Sequence, residues 1–118
     1  SSVGSEKNLL ALQIRTLCEH LGGQYTESGT YPAWEYKQES KLRDVMVAVY
    51  EELYGGKPKL DVIHAGVECG LFMDKMKDLD CVSYGPQMYD IHTPNERLHV
   101  DSVQRTWEYT LEILKRLK

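Results

Sequence analysis

Apolar residues recur at helical spacing in three stretches of the chain, and each stretch begins at a residue type that caps helices. The predicted caps are Ser5, Ser40 and Asp101, the last in a capping-box arrangement with Gln104. Gly55 follows the second stretch as a stop signal. The pattern therefore predicts three amphipathic helices. Their apolar faces are, in order, Leu10, Ile14, Leu17 and Leu21; Leu42, Val45, Met46, Val49 and Leu53; and Val103, Trp107, Leu111 and Leu114.

Two short, nearly continuous apolar runs flank a fourth helical stretch. The runs are residues 59–65 (KLDVIHA) and 79–85 (LDCVSYG), and each is typical of a strand buried on both faces. Between them, residues 66–77 (GVECGLFMDKMK) favour a helix. A strand, a helix and a strand predict a βαβ unit, with parallel strands and a right-handed crossover. Residues 38–118 thus predict the order αβαβα, and residues 1–37 predict a helix followed by an extended segment.

Two parallel strands make a poor sheet by themselves, because each strand needs neighbours and both faces need cover. The chain has 118 residues, which is enough for one modest core. We therefore expect the chain to be part of a larger α/β protein. On its own, we expect it to self-associate or to be only marginally folded, because the apolar faces of its helices suit a larger sheet.

Composition and charge exclude several classes of partner. The formal net charge is −4, so the chain has no basic field to attract nucleic acid or an anionic membrane. No apolar stretch reaches membrane-spanning length, and no signal-peptide pattern is present. The three cysteines, Cys18, Cys69 and Cys81, match neither a disulfide framework nor a zinc site. They predict reduced thiols in a cytoplasmic protein.

The turn after the first predicted strand is one candidate site, because ligands of open α/β sheets bind beyond the carboxyl ends of the strands. His64 and Glu68 lie four residues apart, a spacing that brings two ligands to one metal if both are helical. Since His64 ends a strand, the alternative is a histidine in a turn and a glutamate near a helix N-terminus. Gly66 allows close backbone approach to a carboxylate. Cys69 fits a small buried apolar residue better than a nucleophile, because no base adjoins it.

The loop after the second predicted strand is the other candidate site. His92 lies in the segment DIHTPNER, and Pro94 restricts the backbone two residues later. A rigid loop at this edge can present one imidazole ligand, and the alternative is a surface or packing histidine. One histidine cannot hold a catalytic zinc, which takes three or more protein ligands.

Four segments of the chain are distinctive in their order and spacing: YPAWEY, VIHAGVECGLF, VSYGPQMYDIHTPNER and SVQRTWEYTLEILKRL. They closely resemble the C-terminal end of the bacterial aminoacyl-histidine dipeptidases, also called Xaa-His or β-Ala-His dipeptidases. These enzymes belong to the co-catalytic di-zinc peptidases. The resemblance covers essentially the whole chain, and its specific signatures are HAGVECG and GPQMYDIHTPNER.

The resemblance implies an α/β fold of which this chain is one portion. It implies that residues 1–37 are the end of an α+β lid domain. Residues 38–118 are then the C-terminal part of the zinc-peptidase catalytic domain, with the βαβ unit and its flanking helices. The alternative is a non-catalytic assembly or binding module of the same ancestry.

The same resemblance implies roles for four residues. His92 is expected to be the family's final zinc ligand, and the backbone of Gly66 is expected to contact the carboxylate region of the substrate. Glu68 and His64 share the signature and are assigned to the wall of the substrate-binding pocket. The other zinc ligands and the general base belong upstream, so no catalytic residue is expected in this chain.

For the whole enzyme, the implied function is cytosolic hydrolysis of Xaa-His dipeptides by water activated at two Zn²⁺ ions. The implied partners are the dipeptide substrate, the rest of the catalytic and lid domains, and another copy of the protein. Neither nucleic acid nor a membrane is expected as a partner. This chain alone is expected to be inactive and to lack zinc.

Overall fold

The computed structural model describes residues 2–63 and 68–118. Within these residues the chain forms four helices and one two-stranded sheet. The elements are, in chain order, α1 (Gly4–His20), α2 (Lys41–Tyr54), α3 (Glu68–Lys75), β1 (Met88–Tyr89), β2 (Arg97–Leu98) and α4 (Val100–Arg116).

The chain folds into two compact units, each built from two separate segments. Unit 1 contains Ser1–Glu39 and Leu60–Cys81, and unit 2 contains Ser40–Lys59 and Val82–Lys118. The predicted division into a lid part and a catalytic part concerns the whole enzyme and stays a prediction.

No helix among the described residues is long and apolar enough to cross a membrane.

The start and the end of α2 follow directly from its sequence. The side chain of Ser40 accepts a hydrogen bond from the backbone N–H of Arg43 at 3.0 Å, which is the arrangement of an N-terminal cap. At the other end, Gly55 has a φ of 72°, and its N–H donates to the carbonyl of Glu51 at 2.9 Å. Both predicted signals are confirmed. A side-chain cap of this kind stabilises a helix by about 1 kcal/mol.

The core of unit 2 contains residues of α2 and α4. Met46, Val49 and Ile113 are 5%, 1% and 4% exposed, so they form its buried centre. The predicted apolar face of α2 is confirmed apart from its last residue, Leu53, which is 44% exposed. Four partly buried residues pack against the centre: Leu42, Val45, Val82 and Tyr109.

Polar contacts hold α2 and α4 together beside this core. The hydroxyl of Tyr109 donates to the carbonyl of Met46 at 2.7 Å. Near the C-terminal ends of the two helices, Arg116 donates to the carboxylate of Glu52 through two guanidinium nitrogens. The hydrogen bond from Arg116 lowers the pKa of Glu52. Because this ion pair is exposed to solvent, it adds little to stability, whereas the Tyr109 contact is half-buried.

The predicted apolar face of α4 is wrong for the described residues, because within them the helix buries a different side. The buried residues of α4 are Ser102 and Ile113, and Tyr109 is half-buried on the same side. This mixed polar and apolar side contacts α2, where the Tyr109 hydroxyl finds an acceptor. The predicted residues form what we call the α4 stripe. They are Val103, Trp107, Leu111 and Leu114, which are 42%, 59%, 38% and 55% exposed.

The predicted N-terminal caps of α1 and α4 are also wrong. α1 begins at Gly4, so Ser5 lies inside the helix and no side chain of the preceding residue caps it. Instead, the N–H of Gly4 donates to the carboxylate of Glu35 at 2.8 Å, so a residue distant in sequence satisfies this helix end. α4 begins one residue before Asp101, and the side chain of Gln104 bonds within the helix instead of completing a capping box.

In unit 1, residues 31–35 contact both α1 and α3. Lys7 of α1 donates its ammonium group to a backbone carbonyl of this segment. Gly70 of α3 is buried against the same segment. A Cβ atom at position 70 would lie 3.1 Å from the carbonyl oxygen of Pro32 and 3.4 Å from the Cβ of Trp34. The helix therefore approaches the segment at a distance that only glycine allows without movement.

The apolar face of α1 is present in the sequence but not buried in the structure. No residue of α1 is buried. The four residues predicted to form its face are all exposed: Leu10, Ile14, Leu17 and Leu21.

The predicted βαβ unit is not formed in the described residues. Neither residues 59–63 nor residues 79–85 belong to a β-strand, and residues 64–67 lie outside the described residues. A strand exists only when a neighbouring strand supplies hydrogen-bond partners, which an apolar composition does not guarantee. The sheet that the described residues do form is the antiparallel pair β1–β2. Its register places Met88 opposite Leu98 and Tyr89 opposite Arg97.

Tyr109 lies in a cluster of tyrosine rings. Its ring centroid is 5.5 Å from that of Tyr84, 5.9 Å from that of Tyr50 and 6.4 Å from that of Tyr54. Burial, and then the neighbouring tyrosine hydroxyls, raise the pKa of Tyr109 to about 12. In the unfolded chain this hydroxyl titrates near the ordinary pKa of about 10. Its contribution to stability is therefore fully present below about pH 10 and is lost as the pH rises towards about 12.

We predict that Tyr109→Phe lowers the free energy of unfolding by about 1 kcal/mol at neutral pH, because the hydrogen bond to Met46 is lost. In the variant, the free energy of unfolding should also decrease less between about pH 10 and about pH 12 than it does in the wild type. Urea unfolding across this pH range measures both effects. Tyr31→Phe, at an exposed tyrosine, is the control and should keep the full decrease. Unchanged stability together with an unchanged decrease would contradict the assignment.

We predict that Trp107→Glu changes the free energy of unfolding by less than about 0.5 kcal/mol, because the side chain is exposed. The same change should weaken self-association of the chain, since the α4 stripe is an exposed apolar surface. Light scattering over a range of concentrations measures the mass, and urea unfolding measures the stability. Val49→Ala is the core control and should cost about 2 kcal/mol. A wild-type mass that does not depend on concentration would contradict the prediction.

Candidate metal-binding loop

The candidate loop, residues 90–96, joins β1 to β2. A network of three hydrogen bonds links its base to the start of α4. The N–H of His99 donates to the carbonyl of Gln87 at 2.9 Å, and the N–H of Gln87 donates to the side chain of Ser102 at 2.8 Å. The Ser102 hydroxyl in turn donates to the carbonyl of His99 at 2.6 Å. Because Ser102 is buried, the loop has a fixed base on a buried part of unit 2.

Two residues of the loop adopt a left-handed backbone conformation. The φ angle is 52° at Asp90 and 65° at His92, and no other non-glycine residue in the described ranges has a positive φ. This conformation costs about 1–2 kcal/mol for most residues, although aspartate and histidine enter it more readily. Such strain persists only where surrounding contacts hold the backbone, and it is concentrated at functional sites.

Two side-chain contacts close the loop on itself. The carboxylate of Glu96 accepts a hydrogen bond from the backbone N–H of His92 at 3.0 Å. The guanidinium of Arg97 donates to the carboxylate of Asp90 at 2.8 Å, and it also lies 5.6 Å from the centroid of the Tyr89 ring. Each contact thus reaches one of the two residues with positive φ.

Thr93 links the two halves of the loop. Its N–H and its hydroxyl both donate to the carbonyl of Asp90, at 3.2 Å and 2.7 Å. Its own carbonyl accepts the N–H of Glu96 at 3.1 Å, and its hydroxyl oxygen accepts the N–H of Asn95 at 3.2 Å. Pro94 lies between these contacts and fixes its own φ. The turn is therefore closely hydrogen-bonded although it is exposed to solvent.

The side chain of His92, the predicted metal ligand, takes no part in the contacts that hold the loop. The contacts described above involve only its backbone, and the residue is exposed. The two nearby carboxylates are already engaged, Asp90 with Arg97 and Glu96 with the His92 N–H. In the part of the chain that the structure describes, no three His, Cys, Asp or Glu residues are grouped so as to hold a metal. Since a catalytic zinc takes three or more protein ligands, the described residues do not by themselves form a complete zinc site.

The other predicted site residues lie in α3 or before it. Glu68 is the first residue of α3, in unit 1, and it is exposed. An acidic side chain there lies near the positive end of the helix dipole. His64 and Gly66 lie outside the described residues. His92 belongs to unit 2, whereas Glu68 belongs to unit 1.

The three cysteines are free thiols, as the sequence predicts, and all three are partly buried. Burial, and next the neighbouring thiol of Cys69, raise the pKa of Cys81. A thiol with a raised pKa is a weaker nucleophile at neutral pH. The fold thus places the thiol of Cys81 next to that of Cys69. The sequence pattern did not predict this proximity.

The sequence model of peptidase family M20/M25/M40 matches residues 19–116. This chain belongs to that peptidase family. The M20 chain is 32% identical over 117 residues to the cytosol non-specific dipeptidase of Escherichia coli (strain K12), a match that covers 99% of this chain and 24% of that protein. It also resembles the crystal structure of the aminoacylhistidine dipeptidase from Vibrio alginolyticus, with a TM-score of 0.82 and 34% identity over 98% of this chain and 24% of the other.

The M20 chain thus spans about a quarter of the length of both relatives. The resemblance to the aminoacyl-histidine dipeptidases that the four motifs carry is confirmed. The predicted fold class is confirmed in part, as a portion of a peptidase domain. The described residues form a helix-rich portion of a peptidase domain with one two-stranded sheet.

The sequence of this M20 chain predicts a role for His92 and Pro94, but it does not reveal the four residues whose side chains hold the loop, which are Asp90, Thr93, Glu96 and Arg97. One signal was available in the sequence. The segment DIHTPNER has an acidic residue at one end and a basic residue at the other, a pattern that favours an ion pair across a tight loop. The contact between Glu96 and the His92 N–H leaves no such signal, because it depends on the backbone conformation.

Proposed function

We propose that this chain is the C-terminal part of a cytoplasmic two-zinc dipeptidase. The observation that supports the proposal is the likeness over 98% of the chain to the Vibrio aminoacylhistidine dipeptidase, at a TM-score of 0.82 and 34% identity. In this proposal, residues 1–37 end a lid domain and residues 38–118 end the catalytic domain. The remaining zinc ligands and the general base then lie in the part of the protein outside this chain.

The role proposed for His92 is that of one zinc ligand. A neutral imidazole nitrogen is a good zinc ligand, and the exposed ring of this residue is available for that purpose. The chemistry that two bound Zn²⁺ ions supply in such enzymes is the activation of water and of the peptide carbonyl. The contribution of His92 is to hold its ring at a fixed place, through a backbone that Glu96 and Thr93 restrain.

The proposed substrate is a dipeptide of the Xaa-His type. This choice follows the name of the Vibrio relative, whereas the Escherichia coli relative is named a non-specific dipeptidase. We assign the backbone of Gly66, just before α3 in sequence, to the carboxylate region of the substrate, because N–H groups near a helix N-terminus favour anions. His64 and Glu68 are assigned to the pocket wall. The chain alone, with one proposed ligand and no general base, is then inactive.

The second candidate function is a non-catalytic assembly or binding module of the same ancestry. The lack of a group of three potential metal ligands in the described residues agrees with this candidate, and it agrees equally with the first, which places the other ligands outside this chain. The two candidates differ in the sequence that precedes this chain in the full-length protein. A histidine-x-aspartate zinc motif upstream decides for the enzyme.

In the full-length protein, we predict that His92→Ala lowers dipeptide turnover by about 100-fold or more, because a methyl group cannot replace a zinc ligand. Zinc content measured by mass spectrometry should fall with it. His20→Ala is the matched control, since His20 is an exposed residue in the last turn of α1. Full zinc occupancy and near-normal turnover in His92→Ala would show that this loop does not belong to the metal site.

Gly66→Val in the full-length protein should act differently. A side chain at this position is expected to crowd the substrate and to raise KM by about tenfold, while the zinc content stays normal. Steady-state kinetics with a dipeptide substrate, together with metal analysis, measure the two effects. Gly56→Val is the control, because a Cβ atom there meets nothing within 4 Å. An unchanged KM, or a loss of zinc, would remove Gly66 from the substrate pocket.

A further inference from the structure

The direction of the His92 ring depends on the backbone of that residue. The φ angle of 65° directs its Cα–Cβ bond differently from a residue in the usual negative range of φ. Relaxation to a negative φ would swing this bond, and the ring would move with it. A ligand in this conformation therefore needs a contact that acts on its own peptide group.

Glu96 makes that contact. Its Oε2 atom accepts the N–H of His92 at 3.0 Å, while its own N–H donates to the carbonyl of Thr93 at 3.1 Å. Pro94 lies between the two ends and limits how far the loop can open. We infer that Glu96 is a positioning residue that holds the His92 backbone in its left-handed conformation and so aims the imidazole. This inference rests on the proposed role of His92 as a zinc ligand.

The hydrogen-bond acceptor of Glu96, rather than its charge, is the feature that matters here. The contact is made to a backbone N–H, and an amide side chain has a carbonyl oxygen with the same reach. Glutamine at position 96 should therefore hold the loop nearly as well as glutamate. Aspartate keeps the charge but is one methylene shorter, so it should not reach. These two substitutions separate the acceptor from the charge.

The ion pair between Asp90 and Arg97 is a weaker restraint on the same loop. Both side chains are largely exposed, at 69% for Arg97 and 48% for Asp90, so solvent screens their attraction. Their contact reaches Asp90 and not the peptide group of His92. The position of the His92 ring is therefore expected to depend on Glu96 more than on Arg97.

The test uses the zinc-loaded full-length protein and three readouts: the rate of zinc release to an excess of chelator, the separate values of kcat and KM, and thermal unfolding. Glu96→Ala should speed zinc release and lower kcat, each by about 10- to 100-fold, with KM changed by less than about twofold. Glu96→Gln should stay within about threefold of the wild type, and Glu96→Asp should resemble Glu96→Ala. Glu108→Ala, on the exposed side of α4, is the control.

The outcomes distinguish the inference about Glu96 from the proposed role of His92. Equally fast zinc release from Glu96→Gln and Glu96→Ala overturns the inference, because the charge then matters and not the acceptor. Wild-type release from Glu96→Ala, with zinc lost from His92→Ala, overturns the inference and leaves the role of His92 intact. Full zinc retention in His92→Ala overturns the proposed function, and the inference with it. If Glu96→Ala does not fold, slow release from Glu96→Gln with fast release from Glu96→Asp supports the inference, and equal rates overturn it.

Discussion

The packing of α4 on α2 is the contact on which the candidate loop depends. Val49, which is 1% exposed, lies at its centre, and this contact holds α4 in place. The first turn of α4 carries Ser102, whose hydroxyl accepts from Gln87 and donates to His99. These two residues stand at the two ends of the hairpin that presents His92. The position of an exposed side chain thus follows from a small apolar core, because an exposed loop has few other contacts to fix it.

The features of α2 could be predicted because their causes are local. Ser40 caps the first turn and Gly55 adopts the left-handed conformation after the last, and both effects act within one turn of the residue that causes them. The face of α4 could not be predicted in the same way. Helical periodicity shows which residues share a side, but the side that is buried depends on the partner. In unit 2 that partner is α2, which offers the carbonyl of Met46 to Tyr109.

Neither the absence of the two predicted strands from the part of the chain that the structure describes nor the contacts within the loop could be predicted from the sequence, because both depend on groups that are brought together only by folding. An apolar run becomes a strand only beside another strand, and residues 79–85 belong to no ladder among the described residues. His92 could be proposed as a ligand from its chemistry and from the nearby proline, and that role stays a prediction. The hydrogen bond from its backbone to Glu96 could not be predicted, because it requires a positive φ at a residue that is not glycine. Histidine adopts this conformation more often than most residues, but still in a small minority of cases, so the sequence does not predict it at position 92.

Gly70 belongs to the HAGVECG signature, which also contains His64, Gly66 and Glu68, the residues predicted to line the substrate pocket. The structure accounts for this glycine by packing, since a Cβ atom would lie 3.1 Å from the carbonyl oxygen of Pro32. Every other amino acid carries that atom. A side chain at position 70 therefore requires residues 31–35 to move by a few tenths of an ångström, whatever substrate the protein binds. The last residue of the signature is in this sense set by the shape of the surrounding backbone and not by the chemistry of a site.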